Sequence, residues 1–188
     1  GQAGWACAFG NRTPDIVGFF RRRDRTVRMT DLDDIEAVAR AAVLAGGAEL
    51  RDRYRNGDAT GEYRETDVKA AADEAAEARM LPLIRRAFPD HPVFTEEAGR
   101  FEGTGPYCWV VDPLDGTNDF AAGLPTFASP VAVLEGGGPV LAARRPPAAG
   151  ETDLARRGTG VFHEGERGPP ASAVALGEST RAATGGPA

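Results

Sequence analysis

The sequence contains few of the residues that bind metals through nitrogen or sulfur. Its 188 residues include two Cys and two His. Cys7 and Cys108 lie far apart and form no Cys-x-x-Cys pair, which argues against a zinc site and against a disulfide framework. Cysteines without such a framework are typical of a reducing compartment.

Lysine is nearly absent, and so are long apolar runs. Lys69 is the single lysine among 22 basic residues, against 28 acidic ones, and the formal net charge is −6. A membrane-spanning helix needs about 20 consecutive apolar residues, and a signal peptide needs an apolar stretch after its basic one. The sequence has neither pattern. We therefore expect a cytoplasmic protein that binds no membrane and, being acidic, no nucleic acid.

Residues 1–28 differ from the rest of the chain in charge and pattern. They contain six Arg and two Asp, and they show no convincing periodicity. Thr30 and Asp31, followed by further acids, are typical of the start of a helix. We predict that residues 1–28 are a disordered or non-native extension, with a basic anchoring arm built on Arg21–Arg23 as the alternative.

The most informative segment places two carboxylates directly after an apolar run. Trp109–Val111 is short, aromatic and β-branched, which is typical of a buried strand. Asp112 and Asp115 follow it, and Pro113 and Leu114 lie between them. Because Pro113 holds Asp112 in an extended conformation, both carboxylates and the Leu114 carbonyl can converge on one hard cation.

Two neighbouring features extend this pattern. Gly116 and Thr117 offer backbone N–H groups of the kind that bind a phosphate where a helix begins. A second short apolar strand, Val93–Thr95, ends in Glu96 and Glu97. The candidate metal ligands, which are the carboxylates and the Leu114 carbonyl, are all oxygens. Mg²⁺ prefers oxygen ligands, and Mn²⁺ is the alternative cation. A simpler reading is a tight turn, since Asp, Pro and Gly all favour turns.

The order of these motifs resembles the inositol monophosphatase family, relatives of fructose-1,6-bisphosphatase. A strand ending in Glu-Glu is followed by Asp-Pro-Leu-Asp-Gly-Thr-Asn-Asp-Phe, and the resemblance extends from about Asp31 to about Phe162. It implies a lithium-sensitive, magnesium-dependent phosphomonoester hydrolase in which a metal-activated water attacks the phosphate. The substrate implied is a small phosphorylated metabolite of the inositol monophosphate or fructose-1,6-bisphosphate class, with a 3′-phosphoadenosine-type nucleotide as a further alternative.

The resemblance also assigns roles to single residues. It implies four oxygen ligands for the metal, supplied by Glu96, Asp112, Leu114 and Asp115. Glu96 would also orient the attacking water, and Thr117 would act in catalysis together with Asp73. Gly116 and Thr117 would bind the substrate phosphate.

Asp73 falls in the second of two predicted helices. Apolar residues recur at helical spacing from Asp31 to about Arg55, and again in a second segment that contains Pro82, where we predict a kink. Glu74 and Glu77 lie close to Asp73 in that segment. An ordinary solvated helix face is therefore the alternative for Asp73.

Beyond the motif, the pattern changes to strands. Residues 127–134 and 140–143 predict a strand pair around a Gly-rich turn, although Pro130 argues against a central position in a sheet. From Gly165 onward small and turn-forming residues dominate. We predict that residues 165–188 are a disordered or misread tail.

The expected fold is α+β, an inositol-phosphatase-like layered sandwich. Residues 29–164 would form its first domain, two helices packed on a mainly antiparallel sheet, and the second α/β domain would be missing. That second domain normally covers apolar surface and completes the second metal site, so we expect a homodimer formed through the exposed face. An alternative of another class is a truncated, non-catalytic remnant that binds metal or a partner.

Overall fold

The structure, a computed structural model, describes residues 32–57, 65–147 and 150–168. The predicted extension at 1–28 and most of the predicted tail lie outside these described residues. The proposed domain boundaries at 29 and 164 stay a prediction. In the described residues, no helix combines the length and the apolar character needed to cross a membrane.

The part of the chain that the structure describes contains two long helices and one short helix. Helix α1 is Leu32–Asn56, α2 is Glu65–Ala87 and α3 is Thr117–Ala121. Acidic residues occupy the first turn of α1 and basic residues its last turn, an arrangement that the helix dipole favours. Both predicted long helices are confirmed, and α2 runs on through Pro82 to its end.

The strands of the described residues form one eight-stranded sheet. In chain order they are β1 Val93–Thr95, β2 Gly99–Phe101, β3 Tyr107–Val111, β4 Ser129–Glu135, β5 Gly138–Arg145, β6 Asp153–Arg156, β7 Gly160–His163 and β8 Glu166–Arg167. Their spatial order is β2-β1-β3-β4-β5-β6-β7-β8. Only the pair β1–β3 is parallel among these neighbours, so the mainly antiparallel sheet is confirmed.

The core lies between the sheet and the two long helices. Strand alternation turns every second side chain of β3, β4 and β5 toward α1 and α2. The largest fully buried members of this layer are Ile35, Val43, Met80, Ile84, Val93, Trp109, Val131, Leu141 and Leu154. Each such side chain stabilises the fold by about 1.5–3 kcal/mol relative to an exposed position.

Pro130 lies in a central strand, so the prediction drawn from it is wrong. Strand β4 pairs with β3 on one side and β5 on the other. The Pro130 carbonyl accepts a hydrogen bond of 3.2 Å from the N–H of Asp112, the first residue after β3. An N–H at residue 130 would face Asp112, which lies beyond the paired stretch of β3. The missing donor of Pro130 therefore costs the β3–β4 pairing no hydrogen bond.

The opposite face of the sheet carries an apolar row. Direct cross-strand neighbours from β1 to β7 form this outer row, which consists of Phe94, Val110, Ala132, Ala142, Ala155 and Val161. Phe94 is 38% exposed, Val110 39% and Val161 49%. Since the long helices pack on the other face, the outer row is apolar surface left open by the described part of the chain.

Candidate active site

The turn after β3 is held by hydrogen bonds at both ends. The Oδ1 atom of Asp112 accepts a hydrogen bond of 3.1 Å from the Leu114 N–H. Asp115 exchanges two backbone hydrogen bonds of 2.9 Å with Ala128. These contacts fix the backbone from which both carboxylates project, as a rigid binding site requires.

Gly116 and Thr117 link this turn to α3. Gly116 has a φ of 84°, and a Cβ atom there would lie 2.7 Å from the Thr126 carbonyl oxygen, so only glycine fits. Thr117 is the first residue of α3, and its hydroxyl donates a hydrogen bond of 2.9 Å to the Leu114 carbonyl. The predicted ligand carbonyl and the predicted catalytic hydroxyl are thus in direct contact.

A small apolar cluster brings α2 to the turn. The Leu114 side chain is 1% exposed and packs with Leu50, Ala72, Ala76, Phe120 and Phe127. Ala72 directly precedes Asp73, and Ala76 follows one turn later. Small side chains at both positions let α2 approach closely, so packing in this cluster delivers Asp73 to the site.

Asp73 is buried and electrostatically strained. It is 5% exposed, and its Oδ1 atom has no hydrogen-bond partner among the described residues. Burial, reinforced by the negative charges of Glu97, Glu96 and Asp112, raises the pKa of Asp73 to about 7. The alternative of a solvated helix face is therefore wrong for Asp73. A buried oxygen without a donor costs about 1–3 kcal/mol, which a cation or a hydroxyl group would offset.

Glu96 and Asp112 each directly follow one of the paired strands β1 and β3. Burial and the charges of Glu96 and Asp115 raise the pKa of Asp112 to about 6, and the Leu114 N–H opposes this shift. Negative charges that raise the pKa of a neighbouring acid favour the binding of a positive charge, which a divalent cation could supply.

The predicted metal ligands are only partly gathered. Among the described residues, no three His, Cys, Asp or Glu side chains are close enough together to hold a metal ion. Glu96 and Asp115 are both exposed, and both act on Asp112 through their charges. The described contacts of the Thr117 hydroxyl join it to Leu114 and not to Asp73. The donor chemistry nevertheless fits Mg²⁺ or Mn²⁺, because only oxygens converge here and one of them is buried without a partner.

Glu77 is a residue of this site that the sequence did not reveal. It is 6% exposed and accepts hydrogen bonds from the segment around Glu96. One signal could have identified it, since Glu77 lies four residues after Asp73 and so on the same helix face. Glu74, which lacks this spacing, is exposed.

The shifted carboxyl of Asp73 predicts a pH-dependent stability. A carboxyl pKa raised by folding, here to about 7, favours the folded state while the group is protonated. This stabilisation is present below the unfolded pKa near 4 and is lost as pH rises through about 7. With metal removed by a chelator, Asp73→Asn should melt about 5 °C above the wild type at pH 8, and the gap should shrink toward pH 5.

Thermal unfolding of both proteins from pH 5 to 8 measures this gap. Glu74→Gln, which removes an exposed acid from the same helix, is the control and should show a much smaller pH-dependent difference. A gap between Asp73→Asn and the wild type that stays constant with pH would contradict the role given to Asp73.

The chain is similar to several known proteins. A profile of the inositol monophosphatase family matches residues 31–185. The chain is 34% identical over 142 residues to fructose-1,6-bisphosphatase/inositol-1-monophosphatase of Aquifex aeolicus (strain VF5), covering 74% of this chain and 53% of that protein. It is 37% identical over 136 residues to Nus factor SuhB of Escherichia coli (strain K12), covering 71% and 51%.

Solved structures show the same relationship. Inositol monophosphatase from Anabaena (Nostoc) sp. PCC 7120 is 31% identical and superposes with a TM-score of 0.63, over 73% of this chain and 50% of that chain. The chain thus spans about half the length of the curated relatives it matches.

Proposed function

Because the chain belongs to the inositol monophosphatase family, we propose that it hydrolyses a small phosphorylated metabolite with the help of Mg²⁺. The observation that carries the proposal is the buried Oδ1 atom of Asp73, which has no hydrogen-bond partner among the described residues and lies close to the charges of Glu97, Glu96 and Asp112. Carboxylates crowded in this way repel one another, and a divalent cation among them removes the repulsion.

Each residue of the site has a task in this proposal. Glu96, Asp112, Asp115 and the Leu114 carbonyl would hold the metal. When bound, Mg²⁺ supplies positive charge that polarises the phosphoryl group and lowers the pKa of water, so that water can attack the phosphorus as hydroxide. Glu96 would orient the attacking water. The reaction then requires no nucleophile from the protein.

Thr117, Asp73 and Gly116 would act on the substrate side. The Thr117 hydroxyl, held by the Leu114 carbonyl, would pass a proton with Asp73 as its acceptor. The backbone N–H groups of Gly116 and Thr117 would bind the phosphate. Helix α3 has five residues, so these individual donors, more than a helix dipole, would provide the attraction.

Inositol monophosphate and fructose-1,6-bisphosphate are the substrates we propose first. Both names occur in the relative from Aquifex aeolicus. A 3′-phosphonucleotide remains the alternative substrate. The name Nus factor SuhB of another relative does not indicate a metabolite.

A panel assay tests this function. We expect the purified chain to release phosphate from one of these three compounds when Mg²⁺ is present. EDTA should abolish this phosphate release, and lithium should lower its rate. The second candidate is a non-catalytic protein that binds metal or a partner. Metal binding without phosphate release from any compound would support that candidate against the first.

We further propose that two copies of the chain associate through the outer row. The centre of this surface is apolar, and its rim carries both charges, since Arg144 Nε lies 2.8 Å from Asp153 Oδ2. A two-fold symmetric interface needs such a self-complementary surface. The double variant Val110→Lys with Val161→Lys should shift the protein from dimer to monomer in analytical ultracentrifugation.

The control for this experiment is Leu124→Lys. Leu124 is 49% exposed and lies outside the outer row, so the change adds a charge without touching the proposed interface. A double variant that sediments like the wild type and like the control would exclude the outer row as the interface.

A further inference from the structure

Glu77 is a buried acid that contacts the ends of a neighbouring strand pair. Its carboxylate accepts a hydrogen bond from the Thr95 hydroxyl. It also accepts one of 3.2 Å from the Glu97 N–H. The Ala98 N–H donates to both carboxylate oxygens, at 3.1 Å from Oε1 and 3.3 Å from Oε2. One side chain therefore binds three donors from a segment of four residues.

These donors lie on both sides of Glu96. Thr95 is the last residue of β1, and Glu97 and Ala98 form the turn into β2. We propose that Glu77 is a positioning residue for Glu96, holding its backbone so that its carboxylate stays close to Asp112. The inference rests on the proposed function, in which Glu96 is a metal ligand.

The chemistry of Glu77 suits this task. An ionised carboxylate only accepts hydrogen bonds and has room for about four, whereas the amide of glutamine would direct N–H groups at one of the donors. Hydrogen bonds to a charged acceptor are stronger than those between neutral groups. A buried carboxylate needs this compensation, and here the backbone provides it.

Asp73 and Glu77 therefore divide one helix face between two roles. They lie four residues apart on α2, and both are buried. Glu77 has its oxygens occupied by the protein, whereas Asp73 Oδ1 has no partner among the described residues. The first carboxylate can organise the site, and the second is left for the substrate, the proton or the cation.

A binding experiment with Mn²⁺ tests the positioning role. Free Mn²⁺ is counted by electron paramagnetic resonance during titration of the full 188-residue chain and its variants. Glu77→Gln and Thr95→Val should each weaken Mn²⁺ binding about 10- to 100-fold, the usual scale for residues that orient metal ligands. Glu74→Gln removes an exposed acid from the same helix, and Thr95→Ser keeps the hydroxyl, so both controls should stay within about twofold of the wild type.

Stability separates positioning from a purely structural role. A purely structural Glu77 would lower the melting temperature and leave the Mn²⁺ affinity of the folded protein unchanged. Wild-type affinity in folded Glu77→Gln would therefore overturn the proposal.

Amide hydrogen exchange gives a readout that needs no metal. The N–H groups of Glu97 and Ala98 should be protected in the wild type and should exchange at least about tenfold faster in Glu77→Gln. Equal exchange rates would overturn the proposal even if Mn²⁺ binding changed. A wild type that fails to bind Mn²⁺ would contradict the proposed function, and exchange would then still decide whether Glu77 orders the segment around Glu96.

Discussion

Replacing Asp112 with asparagine should reduce magnesium-dependent phosphate release by roughly 10³-fold or more. Asp112 is the acid at the centre of the site, because the charges of both Glu96 and Asp115 act on it. Asparagine keeps the size of the side chain and the acceptor for the Leu114 N–H but removes the charge. The metal would then lose the ligand that connects the other carboxylates.

Steady-state phosphate release at saturating Mg²⁺ measures this effect. Asp90→Asn makes the same chemical change at an exposed position before β1, at the opposite end of that strand from Glu96, and should leave the rate unchanged. Activity of Asp112→Asn within about tenfold of the wild type would show that the reaction does not depend on this carboxylate.

Thr117→Ala should lower turnover by about 10²- to 10⁴-fold, the usual scale for losing a group that transfers a proton. The Thr117 hydroxyl is fixed by the Leu114 carbonyl at 2.9 Å, so alanine removes it without disturbing the side chains of the carboxylates. Metal affinity should therefore change little while the catalytic rate falls. Single-turnover rates together with Mn²⁺ titrations separate the two quantities.

Two further variants locate the proton acceptor. Thr117→Ser retains a hydroxyl at the same position and should restore most of the rate. Asp73→Asn should resemble Thr117→Ala, because asparagine cannot accept the proton. A large loss of rate in Thr117→Ala, combined with an unchanged rate in Asp73→Asn, would show that Thr117 works with a different proton acceptor.

The turn that carries Asp112 and Asp115 was predictable because its causes are local. An apolar run, one proline and one glycine determine where β3 ends and how the chain turns, and all of them lie within eight residues. The two long helices were predictable for a similar reason, since apolar residues at helical spacing mark their buried faces. The position of Gly116 with a positive φ follows from the same turn.

The burial of Asp73, and with it that of Glu77 on the same helix face, could not be predicted from local pattern. Both lie in a run of alanines and acids in which Glu74 has the same chemistry and remains exposed. Their surroundings come from the turn between β1 and β2 and from the cluster around Leu114, which are distant in sequence. Only the packing of α2 against these segments separates buried acids from solvated ones.

Pro130 shows the same limitation in a strand. Proline is rare in central strands because it lacks a donor, and this rule predicts an edge position. The rule fails here because β3 ends at Val111, one residue before the position opposite Pro130, so no strand residue lacks a donor. Strand lengths on both sides decide the outcome, and they are a property of the whole sheet.

Isothermal titration calorimetry measures directly whether these acids bind a divalent cation. Titration of Mg²⁺ and Mn²⁺ into the wild type should give saturable binding that releases protons at pH 6.5, because burial and neighbouring charges raise the pKa of Asp112 to about 6 and that of Asp73 to about 7. The same titration into Asp112→Asn should show binding at least about tenfold weaker. Equal affinity of the two proteins, or no saturable binding to the folded wild type, would contradict the account.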